Sequence, residues 1–343
     1  MFNNFREKFS KDLGIDLGTA NTLVYVKGKG IVINEPSVVA VNKKTKQILA
    51  IGNDARKMVG RTPSHIVATR PLVSGVISDF EVTESMLRYF IDKVHAGTYQ
   101  ILRRPKVVIG IPSGITEVEK RAVVDAAISA GASQCFLIEE PIAAAMGARL
   151  PVQDPLGSFI IDIGGGTTEI AVISMGGMVV SKSLKIAGDK LNEAIVNYVR
   201  TGRNLVIGEK TAEELKIQIG SVMDTGENLV GSIRGRDVIT GLPKEIQVTE
   251  VEVRQAISNN IQQIVRGIKA VIEDVPPETM SDCLNRGILL AGGGSLIRGL
   301  APYLASETHL PATVAEDPLT CVARGCGFVI EDIDNLKDVL VSV

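Results

Sequence analysis

Short apolar runs alternate with amphipathic stretches along most of the chain, and this pattern predicts an α/β protein. Val107–Ile111 and Phe136–Ile138 are apolar runs of strand length. Between them, the segment from about Thr116 to Ala130 has helical periodicity and is followed by Gly131, a residue typical of helix C-termini. We therefore predict buried strands that alternate with helices, and an Ala-rich helix over Ile142–Ala148 follows the second of these strands.

One short pattern occurs twice, at Ile15–Thr22 and at Ile161–Thr168. Each copy follows apolar residues and runs into a second apolar stretch, which predicts a β-hairpin with a Gly/Thr tip. Such a tip offers backbone N–H groups and hydroxyls to phosphate oxygens at close approach. A single Gly-rich hairpin is usually a plain turn, but two in tandem indicate a nucleotide held between two related domains.

The second half of the chain repeats more than the hairpin. Gly287–Leu290 is predicted to be a strand that runs into the glycine-rich loop Gly292–Ser295 and a helix through Leu304. Val314–Leu319 then aligns with Ile138–Ile142. A repeat of this size predicts two similar lobes with a cleft between them, and residues from about 33 to 75 and 184 to 245 are inserted in the two lobes.

Composition excludes several classes of protein. At 343 residues, with 45% hydrophobic and 22% charged residues, the chain resembles an ordinary globular protein with room for two domains. A formal net charge of −2 does not favour a general nucleic-acid binder. The N-terminus lacks the apolar core of a signal peptide and no apolar run reaches about 18 residues, so we expect a cytoplasmic protein. The four cysteines fit no zinc-ligand spacing.

Carboxylates stand next to the predicted phosphate loops. Asp16 and Asp162 each precede a hairpin tip, where each can hold a divalent cation through water, as magnesium prefers. Glu139 and Glu140 end a predicted strand before a proline, at the sheet edge where ligands of open α/β sheets bind. One of them, with Thr167, is suited to orienting a water for attack on a terminal phosphate. The alternative is that both are ordinary loop charges.

A helix with charged residues beside its apolar face is predicted after residue 210. Thr211 and Glu214 form a capping-box signature, with Thr211 as the N-cap. The apolar residues recur at helical spacing: Leu215, Ile219 and Val222. Glu213 and Lys216 project from a neighbouring face. Alone, they are typical of a solvated surface pair.

Taken in order, these motifs resemble the actin and sugar-kinase ATPase superfamily, and more closely the MreB/Mbl family of bacterial actins. The resemblance covers nearly the whole chain. It rests on the following segments: Asp16–Thr22, Asn34–Ser37, Gly60–Pro63, Leu137–Pro141, Asp162–Glu169 and Glu316–Arg324. It implies an α/β actin-like ATPase fold, with two ribonuclease H-like lobes, an inserted subdomain in each and a nucleotide cleft between them.

The resemblance also implies four subdomains. Subdomain IA would comprise residues 1–32, 76–145 and 320–343, and subdomain IB residues 33–75. Subdomain IIA would comprise residues 146–183 and 246–319, and subdomain IIB residues 184–245.

By the same resemblance, the cofactors are ATP or ADP with Mg²⁺. Asp16 and Asp162 would surround the magnesium, and Glu140 and Thr167 would position the hydrolytic water. The remaining nucleotide contacts would come from the tips, the adenosine pocket and the loop that closes it. The implied nucleotide-binding residues are Gly18, Thr19, Ala20, Asn21, Gly164, Gly165, Gly166, Thr167, Glu213, Glu214, Leu215, Lys216, Gly292, Gly293, Gly294 and Ser295.

The resemblance further implies a membrane-associated filament that organises cell-wall synthesis and cell shape. Its implied partners are other copies of the chain in paired protofilaments, the inner face of the cytoplasmic membrane, and morphogenesis proteins such as MreC and RodZ, with no nucleic acid. Phe2, Phe5 and Phe9 fall on one face of a short helix, which fits an interfacial helix or an arm packed on its own domain. Tyr99, Ile101 and Leu102 fit two interpretations: a second apolar contact with the membrane, or a place in the hydrophobic core.

Other functions on related folds fit the sequence less well. A small-molecule kinase of the superfamily needs a base, often aspartate, and polar substrate-binding residues in the cleft, whereas this chain offers a glutamate suited to water. A chaperone ATPase carries a substrate-binding domain after the ATPase. A plasmid-segregation or division actin shares the predicted fold but not the detailed motifs.

Overall fold

The computed structural model describes residues 10–96 and 104–342. Its strands are β1 (Leu13–Leu17), β2 (Asn21–Val26), β3 (Gly30–Pro36), β4 (Val39–Asn42), β5 (Ile48–Ile51), β6 (Ile66–Thr69), β7 (Leu72–Val73), β8 (Val76–Ile77), β9 (Lys106–Ile111), β10 (Gln134–Glu139), β11 (Ser158–Ile163), β12 (Thr168–Ser174), β13 (Gly177–Leu184), β14 (Leu205–Val206), β15 (Val230–Asp237), β16 (Pro243–Thr249), β17 (Ile288–Ala291), β18 (Ala312–Val314) and β19 (Leu340–Val341). Its α-helices are α1 (Asn53–Met58), α2 (Phe80–Val94), α3 (Glu117–Ser129), α4 (Glu140–Gly147), α5 (Gly188–Arg203), α6 (Glu209–Ile219), α7 (Glu250–Asp274), α8 (Pro277–Arg286), α9 (Leu300–Thr308) and α10 (Cys321–Glu331).

Two large sheets have the same topology. The first has the strand order β3-β2-β1-β9-β10, with β19 at its edge, and the second has the order β13-β12-β11-β17-β18. In the first sheet, β1 forms an antiparallel hairpin with β2 and pairs in parallel with β9 on its other edge. In the second sheet, β11 pairs in the same way with β12 and with β17. The duplicated order accounts for the repeated sequence pattern, because equivalent segments occupy equivalent strands.

Helices α4 and α10 pack between the two sheets. Small residues let them come together closely: a Cβ added at Gly325 would lie 1.9 Å from the Ala143 carbonyl oxygen, and one at Gly147 would lie 1.8 Å from that of Cys321. The cluster around them includes buried residues of both sheets, such as Val108 and Ile160. This apolar layer fixes the two hairpin tips relative to each other.

Smaller sheets flank the two large ones. Strands β5, β4 and β6 form one of them, beside α1, and β14, β15 and β16 form another, beside α5 and α6. The four subdomain boundaries stay a prediction. Within the described residues, no helix combines the length and the apolar character needed to cross a bilayer.

Several local predictions hold at residue level, and others need correction. Thr116 caps α3 with the full capping box, in which Thr116 and Glu119 bond each other's backbone N–H groups. The capping box predicted at Thr211 is wrong: α6 begins at Glu209, with Gly208 as its N-cap, because the Gly208 carbonyl already accepts from the Ala212 N–H.

Three further boundaries differ from the sequence interpretation. Helix α4 starts at Glu140 rather than Ile142, with proline in its first turn. Helix α6 ends at Ile219, so Val222 lies beyond the predicted stripe. The loop at Gly292 forms a short 3₁₀ turn, Gly293–Leu296, and α9 begins later, at Leu300.

Candidate functional site

A cavity of about 540 Å³ lies between the two lobes. It is lined by both hairpin tips, by carboxylates at the ends of β1 and β11, by α6, and by the loop after β17. The predicted site residues that line it are Asp16, Gly18, Thr19, Ala20, Asn21, Glu140, Asp162, Gly164, Gly165, Gly166, Thr167, Glu213, Lys216, Gly292, Gly293 and Gly294. The fold thus brings together segments that are far apart in the sequence.

The first hairpin tip is held from behind by hydroxyl groups. The Ser37 hydroxyl donates to the Gly18 carbonyl at 2.6 Å, and a second hydrogen bond of 2.8 Å joins Ser37 to Thr22. On the other side of the tip, the Gly75 N–H donates to Thr19 Oγ1 at 2.9 Å. Hydrogen bonds from two other segments therefore hold the tip on both sides.

The second tip faces the first at a distance that side chains would not permit. A Cβ added at Gly165 would lie 2.6 Å from the Ala20 Cβ, and one at Gly166 would lie 2.4 Å from Thr19 Oγ1. The Gly165 carbonyl accepts from the Asp189 N–H at 2.8 Å, which ties the tip to the start of α5. The two tips therefore present backbone from both lobes to one side of the cavity.

Carboxylates gather beneath the tips. Burial raises the pKa of Asp16 to about 7. Burial, together with the charges of Asp16 and Glu169, raises the pKa of Asp162 to about 8. The pKa of Glu140 is raised well above its ordinary value by burial first, and then by Glu169, Asp16 and Asp162. This concentration of negative charge is unfavourable without a cation.

Asp16 and Asp162 are suited to binding a hydrated divalent cation. Among the described residues there is no group of three or more His, Cys, Asp or Glu side chains that could hold a metal ion. Asp16 and Asp162 supply the hard oxygen donors that Mg²⁺ selects, and Mg²⁺ usually keeps several waters with one or two carboxylates. Such a cation would also favour the ionised carboxylates, and so offset the burial that raises the pKa of both aspartates and the repulsion that adds to it at Asp162.

Helix α6 contributes Glu213, Lys216 and Ile217 to the wall of the cavity. The Lys216 ammonium donates to the Gly188 carbonyl at 3.0 Å, and burial lowers its pKa. Glu213 forms a 3.2 Å ion pair with Arg56 of the opposite lobe. Glu213 and Lys216 are therefore part of the cavity wall and do not form a solvated surface pair.

Three predicted residues do not line the cavity. Glu214 is exposed, and its Oε1 lies 3.8 Å from the Lys210 Nζ. Leu215 is 1% exposed and lies in the core of its lobe. The Ser295 hydroxyl donates to the Gly292 carbonyl at 2.6 Å and so holds the glycine loop from inside. The predicted contacts at Phe2, Phe5, Phe9, Tyr99, Ile101 and Leu102 lie outside the described residues.

Ion pairs cross the cleft beside the cavity. Arg70 contacts Asp189 and Glu209 of the opposite lobe, each at 2.9 Å. Sequence reasoning missed these residues, and it also missed Asn192, a buried cavity residue whose Oδ1 has no hydrogen-bond partner in the described structure. No motif marks them, because their partners lie in distant segments.

Comparison with known proteins gives a family. The family model described as MreB/Mbl protein matches residues 10–338. The cell shape-determining protein MreB of Escherichia coli K12 is 50% identical over 338 residues, covering 97% of each chain. The cell shape-determining protein Mbl of Bacillus cereus is 49% identical over 328 residues, covering 96% of this chain and 98% of that protein.

Solved structures show the same fold. The crystal structure of MreB5 of Spiroplasma citri bound to ADP superposes with a TM-score of 0.90 at 38% identity, covering 96% of this chain and 98% of that one. The MamK double helical filament gives a TM-score of 0.80 at 25% identity, covering 94% and 99%. The predicted actin-like fold is therefore confirmed.

Proposed function

The chain belongs to the MreB/Mbl family, and from this premise we propose that it is an ATP-hydrolysing, filament-forming protein that maintains bacterial cell shape. The observation that carries the proposal is the meeting of two hairpin tips, one from each lobe, above a buried carboxylate pair. ADP in the S. citri MreB5 structure and the MamK filament support nucleotide binding and self-association.

The phosphates of ATP would lie between the two tips. Backbone N–H groups at Thr19–Asn21 and Gly164–Gly166 would donate to phosphate oxygens, and the three glycines let the ligand approach the backbone closely. Glu213 and Lys216 would contact the adenosine, and the loop Gly292–Gly294 would close over it. Glu214, Leu215 and Ser295 would support this pocket from behind.

Asp16 and Asp162 would hold Mg²⁺ mainly through water. The bound ion would supply positive charge that stabilises the phosphates during transfer.

Hydrolysis requires a water in line with the terminal phosphorus. Glu140 and Thr167 both line the cavity, which suits them to bind that water from two sides. The water oxygen attacks the phosphorus, the bond from that phosphorus to the ADP oxygen breaks, and Glu140 takes up the water proton. Closure of the lobes would bring both groups to the phosphate.

Polymerisation follows from repetition of one contact. A head-to-tail interface that does not close on itself generates an open filament, and paired protofilaments would carry Phe2, Phe5 and Phe9 many times along one face. Each copy would bind the inner membrane surface weakly, so that avidity attaches the filament. Tyr99, Ile101 and Leu102 would add a second contact, and MreC and RodZ would link the filament to cell-wall synthesis.

The test combines ATP turnover, pelleting and electron microscopy on wild type and Glu140→Ala. We expect wild type to release phosphate and form filaments with ATP and Mg²⁺, and Glu140→Ala to form filaments while releasing phosphate much more slowly. Phosphorylation of an added sugar without any polymer would instead favour the kinase alternative. Absence of both polymer and ATP turnover would refute the proposal.

The membrane part is tested separately with anionic lipid vesicles. The triple variant Phe2/Phe5/Phe9→Ala should form filaments that no longer sediment with the vesicles. A polymerisation-deficient variant that bound vesicles as well as wild type would contradict attachment by avidity.

A further inference from the structure

Asn192 is a buried polar residue in the cavity wall to which the proposed function gives no role. It is 2% exposed, and its Oδ1 has no hydrogen-bond partner in the described part of the chain. A buried polar group without a partner is unfavourable, so an apolar side chain would suit the fold better at this position. The other buried residues of α5 are indeed glycine or aliphatic: Gly188, Leu191, Ile195 and Val199.

The contacts of Gly188 show where along the cavity Asn192 lies. The Gly188 N–H donates to the Gly164 carbonyl of the second tip at 3.1 Å, and the Gly188 carbonyl accepts from the Lys216 ammonium at 3.0 Å. A Cβ added at Gly188 would lie 3.3 Å from the Gly164 oxygen and 3.4 Å from Lys216 Nζ. Asn192 follows four residues later, on the same face of α5 and about 6 Å further along the helix axis.

A nucleotide bound as proposed would place its ribose beside Asn192. Its phosphates would lie at the tips and its base near Lys216 and the loop Gly292–Gly294, and the sugar joins these two parts of the ligand. Rotation of the asparagine amide about its terminal bond exchanges Oδ1 and Nδ2. A ribose hydroxyl both donates and accepts, so it can bond whichever of the two atoms faces it, whereas the adenine amino group offers only hydrogens.

Resting on the proposed nucleotide site, we propose that Asn192 recognises the sugar, through a hydrogen bond between its amide and a ribose hydroxyl of the bound nucleotide. The ligand then supplies the partner that the amide lacks in the protein alone. A nucleotide without that hydroxyl leaves the buried amide unpaired, and the site therefore favours ribonucleotides.

The test compares affinities for ADP, 2′-deoxy-ADP and 3′-deoxy-ADP by isothermal titration calorimetry with Mg²⁺; diphosphates avoid hydrolysis during the titration. Wild type should bind ADP roughly 10-fold more tightly than one of the two deoxy analogues. Asn192→Leu, which replaces the amide by an apolar group of similar size, should bind ADP and that analogue within about twofold of each other. Equal affinity of wild type for all three ligands, or an unchanged preference in Asn192→Leu, would overturn the inference.

Thermal unfolding without nucleotide separates sugar recognition from a structural role. Because the Oδ1 of Asn192 has no partner in the described fold, Asn192→Leu should leave the Tm of the nucleotide-free protein unchanged or raise it. A lower Tm together with equally weakened binding of all three ligands would assign Asn192 to structure and overturn the proposal. If Asn192→Leu does not fold, Asn192→Ala serves in the same comparison.

Inosine diphosphate distinguishes the sugar from the base, since it keeps the ribose but lacks the adenine amino group. Its affinity relative to that of ADP should be the same in wild type and in Asn192→Leu, and a difference would place Asn192 at the base and overturn the inference.

Asn197→Leu is the matched control, because Asn197 is an exposed asparagine of the same helix and does not line the cavity. It should keep the wild-type preference for ADP, and loss of that preference would contradict a specific role of Asn192. Wild type that binds ADP without discriminating between the sugars overturns this inference alone, whereas wild type that binds no ADP overturns the proposed function as well.

Discussion

The carboxylates beneath the hairpin tips predict an unusual dependence of stability on pH in the metal-free, nucleotide-free protein. The pKa of Asp162 rises from an ordinary value of 3.8 to about 8 in the folded state. Between these values the folded chain binds more protons than the unfolded chain, so this residue makes the free energy of unfolding fall as pH increases. One pH unit of difference corresponds to about 1.4 kcal/mol, and the full penalty well above pH 8 is on the order of 6 kcal/mol.

Asp162→Asn removes this titration while keeping the size of the side chain. Relative to wild type, the variant should gain stability with increasing pH, by about 4 kcal/mol between pH 5 and pH 8. Carboxylates whose pKa is lowered, such as Glu250 and Glu119, act in the opposite direction but are shared by both proteins. The difference between the two proteins therefore reports the titration of Asp162, together with the change at Glu140, whose pKa the Asp162 charge raises.

The measurement is urea unfolding in the presence of a chelator, followed by far-UV circular dichroism because the chain contains no tryptophan. Asp125→Asn, at an exposed aspartate on α3, is the control and should track wild type at every pH. A stability difference between Asp162→Asn and wild type that does not change with pH would refute the reasoning. Saturating Mg²⁺ and ADP should flatten the pH dependence of wild type, since a bound cation favours the ionised aspartate.

Two further substitutions test how the cleft is held. Arg70→Ala removes the cross-cleft pairs to Asp189 and Glu209; because Arg70 is 30% exposed, each pair contributes less than about 1 kcal/mol. A fluorescent-nucleotide titration should therefore show affinity weakened a few-fold, and an unchanged Kd would argue against a clamp. Gly166→Ala places a Cβ 2.4 Å from Thr19 Oγ1 and forces the tips apart. It should lower nucleotide affinity at least about 10-fold while the far-UV spectrum stays that of the folded protein, and wild-type affinity would contradict direct contact between the tips.

Features with local signals could be predicted from the sequence. The hairpins follow from apolar runs that flank Gly/Thr tips, and the start of α3 follows from Thr116 and Glu119, which bond each other's backbone. The prediction at Thr211 is wrong because a helix can begin without a side-chain cap: the N-cap of α6 is Gly208, which has no side chain to accept from the first N–H groups. Backbone geometry at Gly208 allows α6 to start earlier, outside the capping-box pattern.

Contacts between the lobes had no such signal. Arg56 and Glu213 are 157 residues apart, and the partners of Arg70, Asp189 and Glu209, lie in the other insert, so no periodicity relates these residues to one another. The buried Oδ1 of Asn192 likewise becomes visible only when α5 is placed against the cavity. The repeated pattern predicted a cleft, but the residues that span it depend on how the two lobes pack.

The two ways in which the lobes are joined differ in strength, and this difference bears on how a nucleotide would act. At the base of the cleft, α4 and α10 touch at Gly147 and Gly325, where even a methyl group would overlap a carbonyl. That contact is buried and close-packed, so separating it would expose apolar surface and leave cavities. At the mouth, Arg70 and Arg56 make partly exposed ion pairs that break at little cost in water. Motion between the lobes should therefore pivot at the glycine contact and open at the ion pairs. A ligand that binds both hairpin tips would need to supply only a few kcal/mol to hold the cleft closed.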